Sequence, residues 1–177
     1  MTTSDSGART LPIAPSVTAH DPALVEDARK LSAALSELIR VVQFRDRDRA
    51  CCYDVSASQC YALKRVVETG RVTVNELAAH LYCDKSTASR LAHGLAEKGY
   101  VARERDGEDG RVVRLVATSE GAALCGVIEA GETREYADLL ADFDPAVRSE
   151  INRLVGRLGS CFASSVETSG GSCCVVK

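Results

Sequence analysis

Between Asp84 and Arg90 the chain reads Asp-Lys-Ser-Thr-Ala-Ser-Arg. Asp84 is well placed as a helix N-cap, which sets Ser86, Thr87, Ser89 and Arg90 on the first turns of the helix that follows. Short hydroxyls and a guanidinium in that position suit hydrogen bonding to base edges and phosphates of duplex DNA. The amides of the helix N-terminus add a phosphate-binding contribution. The competing interpretation is a generic helical packing unit with a solvated polar face. Against it stands the order of what surrounds the run: a capped helix, a tight turn, this second helix, and then a strand–turn–strand wing.

A second set of residues carries sulfur chemistry. Of the eight cysteines, Cys51, Cys52 and Cys60 lie close together in sequence, and Cys173 and Cys174 sit on a Ser/Gly-rich tail. Cys60 falls in the first turn of a helix, near the positive end of its dipole, and Arg47 and Arg49 precede the Cys51-Cys52 pair. Both effects favour thiolate. Three thiolates suit a thiophilic ion such as arsenite, antimonite or mercury(II), or zinc with a fourth ligand. Cys173 and Cys174 are candidates for further sulfurs, within a subunit or across a dimer. A core role under the start of its helix competes for Cys60, while Cys83, Cys125 and Cys161 read as small apolar residues. His20, His80 and His93 are scattered and receive no metal role.

The elements that position these groups follow from local signals. Thr73 with Glu76 forms a capping box that starts a helix carrying Leu77, Ala78 and Leu81 on one face. Tyr82-Cys83 makes the turn, and the second helix runs from Lys85 to about Lys98 with Ala88, Leu91 and Leu95 inward. Gly99 stops it. Val101–Arg105 and Val112–Val116 are β-type runs flanking the turn-forming stretch Asp106–Arg111, and Val72-Thr73 is a candidate third strand. Upstream, Leu24, Ala28, Leu31, Leu35, Leu38 and Val42 keep an a/d spacing over a long helix. Its end is the mixed-charge run 45–49, which reads as a solvated helix terminus. Ser56 with Gln59 is a second capping box, with Val55 and Cys60 placed as a hydrophobic staple, and its helix sets Cys60, Leu63 and Val67 on one face. Thr118 caps a helix running through Leu139 to Phe143, and Asp144-Pro145 starts the last, with Val147, Ile151, Leu154, Leu158 and Phe162 in step.

The predicted fold is therefore mainly α with a small β-wing: a winged helix-turn-helix flanked by long dimerisation helices. The predicted segments are a mobile N-terminal arm (1–20), an N-terminal dimerisation helix with the Cys-Cys break (21–54), the winged helix-turn-helix (55–118), C-terminal dimerisation helices (119–163) and a flexible Cys-containing tail (164–177). Three long amphipathic helices present more apolar surface than one small winged unit covers, so a homodimer sealed by both chain ends is the natural arrangement.

Length, 45% apolar and 27% charged residues describe an ordinary soluble domain. Net charge is −3, which excludes a polycationic mode of nucleic-acid binding; from Arg71 to Val116 eight basic residues face seven acidic ones, so DNA affinity has to come from the placement of charge. No apolar run approaches the ~20 residues that span a bilayer and no signal peptide is visible. The expected location is the cytoplasm, where the thiols stay reduced.

This arrangement of long helix, helix, capped helix–turn–helix, wing and two terminal helices resembles the MarR family of bacterial transcriptional regulators over roughly Leu24 to Phe162. The most specific pieces are Leu95-x-x-Lys98-Gly99-Tyr100-Val101 and Asp106-x-x-Asp109-Gly-Arg111, leading to Leu115-x-x-Thr118-x-x-Gly121. The resemblance implies an obligate homodimer on a pseudo-palindromic operator, with Lys85, Ser86, Thr87, Ser89 and Arg90 at DNA-contacting positions. It also implies that Arg111 reaches the minor groove and that Asp109 holds the wing. An unusually acidic wing, with Asp106, Glu108 and Asp109, departs from the pattern and requires that some of these acids pair with arginines. No cofactor is expected for DNA binding itself.

The expected function is a repressor released when a thiophilic metal or metalloid binds Cys51, Cys52, Cys60 and the tail thiols. Cysteine oxidation and a small phenolic ligand are the alternative signals. A thiol enzyme lacks support, since neither C-x-x-C beside a βαβ pattern nor a nucleophile–His–acid set is present. A winged helix used only to bind protein predicts that Arg90 and Arg111 are dispensable.

Overall fold

Side chains that close the first turns of the helices set the frame of the molecule. The structure, a computed structural model, describes residues 21–50, 53–107 and 109–168. In chain order the elements are α1 (Pro22–Ala50), α2 (Ala57–Thr69), β1 (Arg71–Thr73), α3 (Val74–His80), α4 (Lys85–Glu97), β2 (Val101–Arg105), β3 (Val113–Ala117), α5 (Ser119–Leu140) and α6 (Pro145–Thr168). Both predicted capping boxes are present, Ser56 with Gln59 on α2 and Thr73 with Glu76 on α3. Asp84 caps α4 and Thr118 caps α5.

The three strands form one antiparallel sheet in the order β1-β3-β2. Val72 stands opposite Leu115, and Arg103 opposite Leu115 from the other side. Val112 belongs to the loop rather than to β3: its N–H donates to the Asp109 carbonyl at 2.9 Å, and its carbonyl accepts from Asp106 at 2.9 Å.

One core lies where α2, α3, α4 and the sheet converge. Leu63, Val66, Val72, Leu77, Ala88, Leu95 and Leu115 are fully buried there. The buried stripe of α2 is Ala62, Leu63 and Val66, with Cys60 and Val67 only partly covered. This shifts the predicted face, because α2 is wedged between α4 and α5 and is covered on two sides.

Both helices of the central helix-turn-helix end in the same way. Beyond α4, Gly99 is left-handed (φ 78), its N–H donating to Ala96 and that of Tyr100 to Leu95. Beyond α3 the equivalent residue is Tyr82 (φ 50), its N–H donating to Ala79 and that of Cys83 to Ala78. An L-residue with a side chain held in this region bears a strain of about 1–2 kcal/mol.

Outside the core the apolar faces are open. Leu24, Leu31 and Leu38 of α1, Leu139 of α5, and Leu154 and Phe162 of α6 are all exposed in the protomer. Cys161, expected among apolar surroundings, is exposed too, since among the described residues α6 packs closely on no other element. α5 stops at Leu140, three residues before the predicted end, where Arg148 of α6 donates to the Phe143 and Ala141 carbonyls (2.6 and 3.2 Å). α6 continues through Thr168, into the stretch read as the start of the tail. The arm at 1–20, Cys51, Cys52, Glu108, Cys173 and Cys174 lie outside the described residues. No described helix is long and apolar enough to cross a membrane.

Candidate nucleic-acid interface

The N-terminal end of α4 is organised by Asp84. Its Oδ1 accepts the Ser86 hydroxyl (2.5 Å) and the Thr87 N–H (2.9 Å), and its Oδ2 accepts the Thr87 hydroxyl (2.7 Å). Thr87 Oγ1 in turn accepts from Arg90 Nη2 at 3.1 Å. The hydrogen bonds from Ser86 and then Thr87 hold the Asp84 carboxyl well below the usual carboxylate range. The consequence for recognition is specific. With their protons committed to Asp84, Ser86 and Thr87 present lone pairs outward, so on this face they act as acceptors. Lys85, Ser86 and Arg90 are exposed and Thr87 and Ser89 half-buried, so the five predicted residues share one end of one helix.

The wing meets the charge problem that its acids raise. Asp106 is paired with Arg114 and also accepts the Asp109 N–H (3.3 Å). Glu104 pairs with Arg71 at 2.5 Å. Glu76 accepts the Thr73 N–H at 2.7 Å and lies 3.9 Å from Arg114; the Thr73 bonds and the nearby arginine lower its pKa. Asp109 accepts the Arg111 N–H at 2.9 Å, which shapes the loop immediately before the wing arginine. By contrast, among the described residues no carboxylate stands within ion-pair distance of Lys85, Arg90, Arg103, Arg105 or Arg111. A segment of near-neutral total charge thus spends most of its described acids on internal bonds, with Glu97 exposed beside His93 as the exception, and leaves five cations without a carboxylate partner.

Arg103 and Arg105 were not singled out in the sequence. They alternate along β2 on the same face as Val101 and are both exposed. The strand's alternation held the signal, masked by Glu104 and Asp106 between and beyond them.

A third cluster joins this reading head to the start of α2. Lys98, just past α4, donates to the Asp54 carbonyl and to Gln59 Oε1 (3.2 Å), and the Tyr100 hydroxyl donates to Asp54 Oδ1 at 2.9 Å. The Asp54 carboxylate raises the Tyr100 pKa. On the other side, Thr118 Oγ1 donates to the Gly99 carbonyl (2.7 Å) and accepts the Gly121 N–H (3.0 Å). Gly121 lies so close to the Tyr100 carbonyl that a Cβ there would come within 2.0 Å of its oxygen.

Of the five predicted thiol ligands only Cys60 is described, half-buried in the first turn of α2. Cys125 is buried on α5, and burial pushes its thiol pKa up; Cys83 is half-buried against the core. Among the described residues no three His, Cys, Asp or Glu side chains are grouped to hold a metal ion.

A capped recognition helix seated on a core it shares with a three-stranded sheet, and a wing rich in uncommitted arginine, define a winged helix-turn-helix protein. The MarR family model matches residues 53–112. The chain is 27% identical over 128 residues, 72% of this chain and 90% of the other, to the uncharacterized HTH-type transcriptional regulator YxaD of Bacillus subtilis. A MarR family protein from Bacillus stearothermophilus matches with a TM-score of 0.70 and 26% identity, covering 81% of this chain and 99% of that one. FabT of Streptococcus pneumoniae, solved in complex with DNA, shares the fold (TM-score 0.70, 16% identity, 77% and 98% covered). Residues 53–112 thus match the MarR family of transcriptional regulators, and the relatives the chain resembles are transcriptional regulators.

Proposed function

We propose that the protein is a homodimeric repressor that binds a pseudo-palindromic operator. Lys85, Ser86, Thr87, Ser89 and Arg90 enter the major groove, and Arg111, with Asp109 shaping its loop, reaches the minor groove. The observation that carries this reading is the segregation of charge: the described acids of the wing, Glu104, Asp106 and Asp109, and the helix caps Glu76 and Asp84 are bonded internally, while Lys85, Arg90, Arg103, Arg105 and Arg111 have no carboxylate partner among the described residues. The open apolar faces of α1, α5 and α6 support self-association through the chain ends.

The signal we assign is a thiophilic metal or metalloid bound by Cys51, Cys52 and Cys60, with Cys173 and Cys174 as further ligands. Its support is a short mechanical route. Asp54, two residues after the Cys51-Cys52 pair, is bonded to Lys98 and Tyr100 at the end of the recognition helix. A ligand that tightens the Cys51–Cys60 junction pulls on that bond and rotates α4. Paired recognition helices have to sit about one duplex turn, ~34 Å, apart, so a small rotation loses one half-site. Cysteine oxidation at the same residues is the alternative, separated by whether excess reductant abolishes the response.

Fluorescence anisotropy of the reduced protein on DNA upstream of its own gene, titrated with arsenite under excess reductant, tests both halves. Release of bound DNA that disappears in Cys51→Ser/Cys52→Ser is expected. Tight binding indifferent to arsenite removes the metalloid signal and leaves the repressor. Arg90→Ala and Arg111→Ala are each expected to weaken binding and to lower the salt slope by about two, one for each subunit, if the side chain meets a phosphate; unchanged binding in both would point to a protein-binding module instead.

A further inference from the structure

Tyr82 stands in the cap of α3 where Gly99 stands in the cap of α4, the first residue past the C-cap in each. Both are left-handed, and each donates its N–H back into the helix it ends. Backbone chemistry asks for glycine or asparagine at this position, and a tyrosine is the costlier choice. Packing in the protomer offsets little of that cost, since the residue is 57% exposed. Its phenol meets no hydrogen-bond partner among the described residues. Strain retained without an internal return points to a use of the side chain outside the molecule. Tyr82 also lies two residues before Asp84, at the end of α4 that carries Lys85, Ser86 and Thr87.

We propose that Tyr82 is a DNA-backbone contact: its phenolic O–H donates a hydrogen bond to a phosphate at the edge of the groove that receives α4, fixing the register of the helix without reading a base. The inference rests on the DNA-binding function proposed above and adds a residue to it. Because the phenol is neutral, the contact displaces no counterion and contributes nothing to the salt dependence of binding. That separates it from the lysine and arginine contacts.

The test uses the full chain and the duplex that it enriches from a random-sequence DNA library. Tyr82→Phe removes only the hydroxyl; Tyr82→Asn removes the ring while keeping a residue that tolerates the left-handed turn. The expected result is a Kd raised about 10–100-fold in both variants, the loss of one hydrogen bond in each of the two subunits, with the slope of log K against log salt unchanged. Tyr82→Asn should melt at or above the parent's Tm. Parent-like affinity in both variants overturns the contact, and a loss confined to Tyr82→Asn overturns the hydroxyl–phosphate bond. If the parent enriches no duplex, the DNA-binding function itself fails and takes this inference with it, a different outcome from a parent that binds and variants that match it.

Discussion

At the scale of single residues, Asp84 shows how one side chain sets both the stability and the chemistry of the reading head. Its carboxylate closes the first turn of α4 and holds the hydroxyls of Ser86 and Thr87. Its pKa is depressed in the folded state, so its contribution is fully present above the unfolded-state value of roughly 4 and is lost as pH falls through the lower folded value. Asp84→Ala should therefore be less stable than the parent in urea unfolding at neutral pH, with the gap closing as the pH is taken well below 4. A gap independent of pH would mean that the cap acts through packing and not through the charge. The capping role was legible from Asp84 alone, as were the Ser56 and Thr73 boxes, since these depend on neighbours within three residues. The inward commitment of the Ser86 and Thr87 protons was not, because it depends on side-chain rotamers. Tyr82 was also hidden: the turn was visible from the sequence, but tyrosine gives no sign that its own φ is positive.

Between elements, the decisive joint is the one from the end of α4 to the start of α5. Thr118 bridges the Gly99 carbonyl and the Gly121 N–H, and Gly121 leaves no room for a methyl against the Tyr100 carbonyl. The spacing Lys98-Gly99-Tyr100 … Thr118-x-x-Gly121 was readable as a motif, but its physical content is this clash, which involves residues about twenty positions apart. Gly121→Ala forces backbone against backbone, and overpacking of that kind costs about 1–3 kcal/mol. The variant should lose that much in urea unfolding and also bind DNA more weakly, because α5 can no longer hold the end of the recognition helix in place. Full stability would show that the joint yields without cost. The sheet register likewise needed long-range pairing: the acidic wing looked like an obstacle to DNA binding until Asp106 met Arg114 and Glu104 met Arg71.

For the whole molecule, the covered core and the open helix faces divide the chain into a winged unit able to hold itself together and long helices that are not buried by it. Leu24, Leu31 and Leu38 of α1 repeat every seven residues and are exposed, as are Leu154 and Phe162 of α6, so the sequence periodicity marks a surface that the protomer leaves open. The proposed covering of it by a second copy predicts a stability that depends on concentration: Tm should rise as protein concentration rises. Leu38→Glu places a charge in that seam and should shift the protein to monomer in sedimentation velocity while leaving the core of α2, α3 and α4 folded. If the proposed dimer engages two half-sites at once, the same variant should bind the full duplex at least about 100-fold more weakly, the lower end of the gain from linking two sites, yet bind an isolated half-site as the parent does. If Leu38→Glu stays dimeric and keeps full affinity, α1 is not part of the seam, and the exposed stripe has to be assigned to another partner. If it becomes monomeric and still binds the full duplex as the parent does, recognition is a property of single subunits, and the coupling of helix spacing to release loses its basis.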